Sequence, residues 1–323
     1  MEEVIWTAAA ELEEQGQLNL RISASSMAQR PFHLDGAFEA LDKWSPKFKS
    51  EIFTVNTLKI HGGSPDGWSS PLLEPYSDRP DYSGPVIFPY DVRLDATMKA
   101  VRQGHFVHTH VIGDRAIREA LDAFQAVREA GFADARLATG HSTLVHPDDV
   151  PRYVQNDVTI NWMMEGLCQP DETNDARLGE RVAYLCDFRS VADTGARLSL
   201  SADAPTAKLS PMLQIEVAML QKSPEQTEAL RDGKTGLTLE EAIRGYTMGT
   251  AHMIGWEDII GSLEVGKRAD LVVLDKNLFE IELDEIHEVN VMLTMMNGRV
   301  VHEEAVDWEV KAPQIRTDLM HDD

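Results

Sequence analysis

The chain has 323 residues, room for one large domain or two ordinary ones, and 43% of them are hydrophobic, so a substantial core can be buried. A formal net charge of −24 disfavours nucleic acid and anionic membrane surfaces as partners, and no apolar run reaches membrane-spanning length. The two cysteines, Cys168 and Cys186, suggest no disulfide framework, and the acidic, amphipathic start is unlike a secretory signal, so the expected location is cytoplasmic.

Residues 4–12 read as a helix, 18–24 as a strand, 38–44 as a helix and 53–60 as the next strand. A long polar loop rich in Gly, Ser and Pro follows from Gly62 to Tyr90, and 94–102 is helical. Residues 106–112 are apolar or β-branched except for His108 and His110, which lie two apart and so share one face of a strand. Gly113 breaks that strand, and Asp114 opens a helix whose apolar face carries Ile117, Ala120, Leu121 and Phe124. Residues 135–139 form a short strand leading to His141, and Pro147 opens a helix through Val154. Strands at 158–162 and 196–201 flank a helical stretch over 177–192, and the second strand runs into Asp203.

Strands alternating with helices mean βαβ units and a parallel sheet. Six such units fit an α/β fold of the (β/α)₈ barrel type, incomplete by two strands; no Gly-rich phosphate fingerprint supports an open dinucleotide-binding sheet. After Glu257 the texture changes. Residues 261–275 hold two short strands around a Gly-Lys turn, 289–296 is another, Asn297-Gly298 is a hairpin turn and 299–302 returns. The expected organisation is a barrel over 1–256, a small β-sandwich portion over 257–306 and a polar tail over 307–323.

Lys59, His110, His141 and Asp203 fall at or just past the carboxyl ends of four strands, which converge on one mouth in a barrel. Singly, each also fits a bland role: a solvated lysine, hydrogen-bonded histidines, a turn-forming aspartate. Jointly they suit a divalent metal that acidifies a water, with Asp203 taking the proton. Histidine and carboxylate ligands suit zinc first, with iron and manganese also fitting.

At these residues the chain resembles the amidohydrolase family 3 branch, YtcJ-like and N-substituted formamide deformylase-like, of the metal-dependent amidohydrolase superfamily. The carrying stretches are His110-Val-Ile-Gly-Asp-Arg-Ala-Ile117, Gly140-His-Ser-Thr-Leu-Val-His-Pro-Asp-Asp149, Ala176-Arg-Leu-Gly-Glu-Arg181, Leu200-Ser-Ala-Asp-Ala-Pro205 and Gly261-Ser-Leu-Glu-Val-Gly-Lys-Arg-Ala-Asp-Leu-Val-Val-Leu-Asp275. The resemblance spans about Leu18 to His302. It implies a (β/α)₈ barrel with a β-sandwich, and hydrolysis of amide-like C–N bonds that are not ordinary peptides. It also implies that Lys59 is carboxylated to bridge two metals, that His110 and His141 bind the second metal, and that Asp203 binds the first and shuttles the proton.

The departures are specific. No His-X-His strand, which holds the family's first metal, precedes Leu18; His108 stands where the family has a small apolar residue; Gly62-Gly63 replaces Asp-Gly; and Gly140 replaces Glu. The expectation is therefore at most one tightly held ion, and a metal-dependent hydrolase of a small amide-like substrate. The alternatives are a truncated, weak or inactive remnant, or one half of an enzyme completed by another chain. Trp68, Tyr76, Trp162 and Met164 are candidates to shape the substrate pocket. Unpaired sheet edges lead us to expect a homo-oligomer.

Overall fold

The structure, a computed structural model, describes residues 2–64, 67–163, 168, 171–226 and 235–304. In chain order its helices and strands are α1 (Glu2–Glu14), β1 (Ile22–Ala28), α2 (Leu34–Trp44), β2 (Phe53–Gly62), α3 (Tyr90–Arg102), β3 (Phe106–Val111), α4 (Asp114–Glu129), β4 (Leu137–His141), α5 (Arg152–Gln155), β5 (Thr159–Met163), α6 (Glu172–Leu178), α7 (Phe188–Ala192), β6 (Leu198–Ser201), α8 (Pro211–Leu220), α9 (Leu239–Arg244), α10 (Thr250–Met253), β7 (Leu271–Leu274), β8 (Val291–Met296) and β9 (Arg299–Glu303).

Strands β1 to β6 form one parallel sheet in sequence order, the α/β arrangement of a (β/α)₈-type barrel with six of its strands. Helices cover it because their apolar residues fall on one side: Ala116, Ile117, Ala120, Leu121, Phe124 and Val127 of α4 are all buried, as are Ala37, Phe38 and Leu41 of α2. Strands β7, β8 and β9 form a separate antiparallel sheet, with Asn297 and Gly298 both at positive φ in its hairpin turn. Arg21 joins the two sheets. It pairs with Asp270 (Nε–Oδ2 2.5 Å), donates to Asn297 Oδ1 at 2.7 Å, and donates to the Glu51 carbonyl.

Several elements differ from the sequence reading. The first strand starts at Ile22 rather than Leu18, because Arg21 is held by Asp270 across the chain. The stretch 177–192 is not one helix: α6 ends at Gly179 (φ 62), a 3₁₀ segment follows over Gly179–Tyr184, and α7 begins afresh at the Asp187 cap. Residues 147–154 split into a 3₁₀ turn and the short α5. Between 261 and 275 only Leu271–Leu274 is a strand. The cysteine expectation is corrected too, since Cys168 and Cys186 form a disulfide, their Cα atoms 6.0 Å apart. The fold brings the exit of β5 beside the segment before α7, where Cys186 N–H donates to Thr143 O at 2.6 Å. Eighteen residues of separation hid that proximity. The expected tail over 307–323 and Met164 lie outside the described residues. No helix among the described residues is long and apolar enough to cross a membrane.

Asp114 holds the sheet's carboxyl face together. It is 1% exposed, accepts hydrogen bonds from Leu73 N–H (2.8 Å), Arg115 N–H (2.9 Å) and the Tyr184 hydroxyl (3.0 Å), and lies 3.8 Å from the Arg181 guanidinium. One carboxylate thereby ties the loop after β2, the start of α4 and the 3₁₀ segment before α7. Asp114→Ala leaves buried donors unmatched, and we expect it to lower stability by on the order of 3 kcal/mol in urea denaturation, with Asp114→Glu recovering only part. A loss below about 1 kcal/mol would remove Asp114 from this role.

Candidate metal centre

Side chains on a strand alternate between faces, so Lys59 and His61 share one face of β2, and His108 and His110 share one face of β3. The parallel register sets Lys59 opposite His108 and His61 opposite His110. It also sets His110 opposite Gly140 and Val111 opposite His141. His141 closes β4 at φ 69. The rings of His61 and His110 stack with centroids 4.1 Å apart, and His110 meets His141 edge-on at 4.3 Å. Asp203 follows β6 by two residues, at φ 49, and is exposed, yet its charge is felt at both Lys59 and His141.

All four expected residues thus belong to one mouth: Lys59, His110 and His141 closely, Asp203 from its rim. His61 was not foreseen, although the alternation Lys59-Ile60-His61 places it on the lysine's face. His108 joins the group as well. Of the candidate pocket residues, Trp162 and Tyr76 are 0% and 1% exposed and belong to the core, Trp162 packing on Phe188 and Tyr76 bonding Ser70. Trp68 lies half-buried between the guanidiniums of Arg79 and Arg177. A cavity of about 530 Å³ lies at the amino ends of β5 and β6 beside Arg244 and His252, and none of the site residues lines it.

Burial works against the charged forms throughout the cluster. Burial, against the pull of Asp203, lowers the Lys59 pKa. Burial and then the neighbouring His141, His61 and Lys59 push His110 down to about 2, while its contact with Gly63 works the other way. Burial takes His141 to about 4, opposed by Asp203. His108 is driven well below the ordinary value and His61 is lowered, burial being the larger cause for both.

The His110 ring is oriented by backbone. Its Nε2 lies 2.9 Å from the Gly63 carbonyl; a carbonyl only accepts, so Nε2 carries the proton and Nδ1 keeps its lone pair. Metal-binding histidines are commonly held this way, by a carbonyl on the other ring nitrogen. Gly63 makes the contact possible at φ +95, where a Cβ would lie 2.4 Å from Ile112 O. Buried ring atoms also lack partners: His61 Nδ1, His108 Nε2 and His141 Nδ1 make no hydrogen bond. Among the described residues no group of three or more His, Cys, Asp or Glu side chains is placed to hold a metal ion. The donors nonetheless fit a divalent ion in kind: neutral imidazoles, one in a ligand-ready tautomer, beside a lysine of lowered pKa.

The amidohydrolase family model matches residues 5–302. The chain is 27% identical to YtcJ of Bacillus subtilis over 87% of its own length and 54% of that protein's. It is 31% identical to the N-substituted formamide deformylase of Arthrobacter pascens, over 65% of its own length and 39% of that protein's. An uncharacterized metal-dependent hydrolase of Pyrococcus horikoshii matches in structure with a TM-score of 0.72 and 26% identity, covering 86% of this chain and 55% of that one. The chain therefore spans about half the length, or less, of the relatives it matches.

Neutral rings give this site a pH signature. Their folded values lie below the ordinary 6.5, so their contribution to stability is complete above about pH 6.5 and is lost as pH falls toward 4 for His141 and toward 2 for His110. Denaturation in EDTA between pH 7.5 and 4.5 is expected to show stability falling on acidification by up to about 1.4 kcal/mol per pH unit per ring. His110→Asn flattens that slope; an unchanged slope would show that the ring is not held neutral.

Proposed function

The chain belongs to the amidohydrolase family, and from that premise we propose that it is a metal-dependent hydrolase of amide-like C–N bonds other than peptide bonds. The observation carrying this reading is His110, turned by Gly63 O into the tautomer that leaves Nδ1 free, beside His141 and Lys59. His110 and His141 hold one divalent ion, zinc first by ligand chemistry, with iron and manganese also suited. When bound, such an ion polarises the carbonyl and eases deprotonation of water. Lys59, its pKa lowered by burial, spends more time as the free amine that adds carbon dioxide to form a carbamate and a released proton, supplying a carboxylate ligand. Asp203, on the rim with its charge felt at Lys59 and His141, takes the proton of the attacking water and returns it to the leaving nitrogen.

The sheet order favours a second reading. Among the described residues β1 pairs only with β2 and β6 only with β5, so each offers an open edge. In that reading the chain is one part of an enzyme completed by another polypeptide, or it associates with copies of itself. A weak or inactive protein when assayed alone is the corresponding outcome.

Elemental analysis after dialysis is expected to find one divalent ion per chain. With added zinc or manganese, N-formyl and N-acyl amines are the substrates to assay. Asp203→Asn is expected to lower kcat about a hundredfold or more with little change in KM or melting temperature. Turnover that survives Asp203→Asn removes the proton shuttle, and a chain that takes up no metal overturns the reading as a whole.

A further inference from the structure

The end of the sheet opposite the candidate metal centre carries the cavity of about 530 Å³. That volume is ample for a small-molecule ligand. One wall is backbone, because a π-helical turn over Gly245–Gly249 lies directly on β6. A Cβ at Gly245 would stand 2.7 Å from Leu200 Cγ, and one at Gly249 would stand 1.7 Å from Leu198 O, so glycines permit this approach. Such turns are rare and recur at functional sites. Apolar side chains supply much of the remaining lining: Val154, Val158, Ala192, Leu198 and Met248. The charges are unevenly matched. Of the acids lining the cavity, Asp157 is held by Arg197 at 3.1 Å, Glu241 by Arg189 at 2.7 Å and Glu257 by Arg136 at 2.5 Å. His252 also lines it, and burial lowers its pKa, so its ring adds little charge at neutral pH. Arg244 lines the same cavity, is exposed, and has no hydrogen-bond or ion-pair partner among the described residues for its side chain.

We propose that this cavity binds a small organic carboxylate, its anionic head on Arg244 and its apolar body against Val154, Leu198 and Met248. A guanidinium with no acid of its own offers a carboxylate two parallel N–H donors. The three lining acids, though paired, repel a second negative charge on the ligand, so a monoanion is favoured over phosphate. The apolar lining rewards a ligand long enough to cover it, which acetate is not. The site is separate from the metal centre, since Lys59, His110, His141 and Asp203 do not line the cavity, and it does not rest on the hydrolase reading.

The test is a ligand-observed NMR titration of the full-length chain in EDTA with hexanoate, against acetate, hexan-1-ol and inorganic phosphate as comparison probes. Hexanoate is expected to bind with a Kd of about 1 mM or tighter, and each comparison probe about tenfold or more weakly. Arg244→Gln is expected to raise the hexanoate Kd about tenfold while melting as wild type does, because Arg244 is exposed. Val154→Trp, which fills the cavity from a position 47% exposed, is expected to abolish binding. His110→Asn is expected to leave the Kd unchanged. Absence of hexanoate binding up to about 10 mM, a Kd for Arg244→Gln within twofold of wild type, or hexan-1-ol binding as tightly as hexanoate overturns the proposal. Phosphate binding more tightly than hexanoate overturns the ligand class. If His110→Asn weakens binding and Arg244→Gln does not, the carboxylate sits at the mouth and the cavity is no site. Should circular dichroism show Val154→Trp unfolded, Arg244→Gln decides by its Kd.

Discussion

The site depends on the register of three parallel strands. Pairing Lys59 with His108, His61 with His110 and Val111 with His141 brings five chemically active side chains to the carboxyl ends of β2, β3 and β4. Strand periodicity is two, so a slip of one residue in β3 alone would turn both its histidines toward the helices and present Thr109 and Val111 to the mouth. What fixes the register is apolar. Leu58, Ile60, Val107 and Val111 occupy the alternate positions and are 0–1% exposed. Burying those residues costs nothing in polarity and places the imidazoles as a consequence.

The electrostatics follows from that placement. The chain as a whole carries a net charge of −24, yet the mouth collects four imidazoles and a lysine, with Asp203 as the acid whose charge reaches Lys59 and His141. Crowding bases in a poorly solvated site penalises their charged forms, which is why each histidine there titrates low. Neutral imidazoles are what a cation needs, so the burial that makes the cluster costly without an ion also prepares it for one.

Much of this was legible in the residues. The six parallel strands, the Asp114 helix and the Asn297-Gly298 hairpin follow from periodicity and turn chemistry, which act over a few residues. Lys59, His110 and His141 were visible because each lies near the carboxyl end of a strand. His61 was legible in principle from its spacing to Lys59. Other features depend on contacts distant in sequence. The Arg21–Asp270 pair spans 249 residues and sets where β1 begins. Gly179 ends α6 within a stretch whose apolar pattern continues. Whether an aromatic lines a pocket or fills the core depends on its neighbours in space, which is why Tyr76 and Trp162 were misplaced as pocket residues.

The Cys168–Cys186 bond carries a consequence of a different kind. It closes a covalent ring around α6, and that ring is fastened by Cys186 N–H to Thr143, two residues past His141. By chain-entropy arguments a closed loop of this size removes about 3 kcal/mol of freedom from the unfolded chain. Such a bond persists only where the surroundings are oxidising, whereas a glutathione-reduced compartment would hold the same two residues as thiols. The wall beside His141 is thus covalently closed in this structure, and a reducing medium would open it.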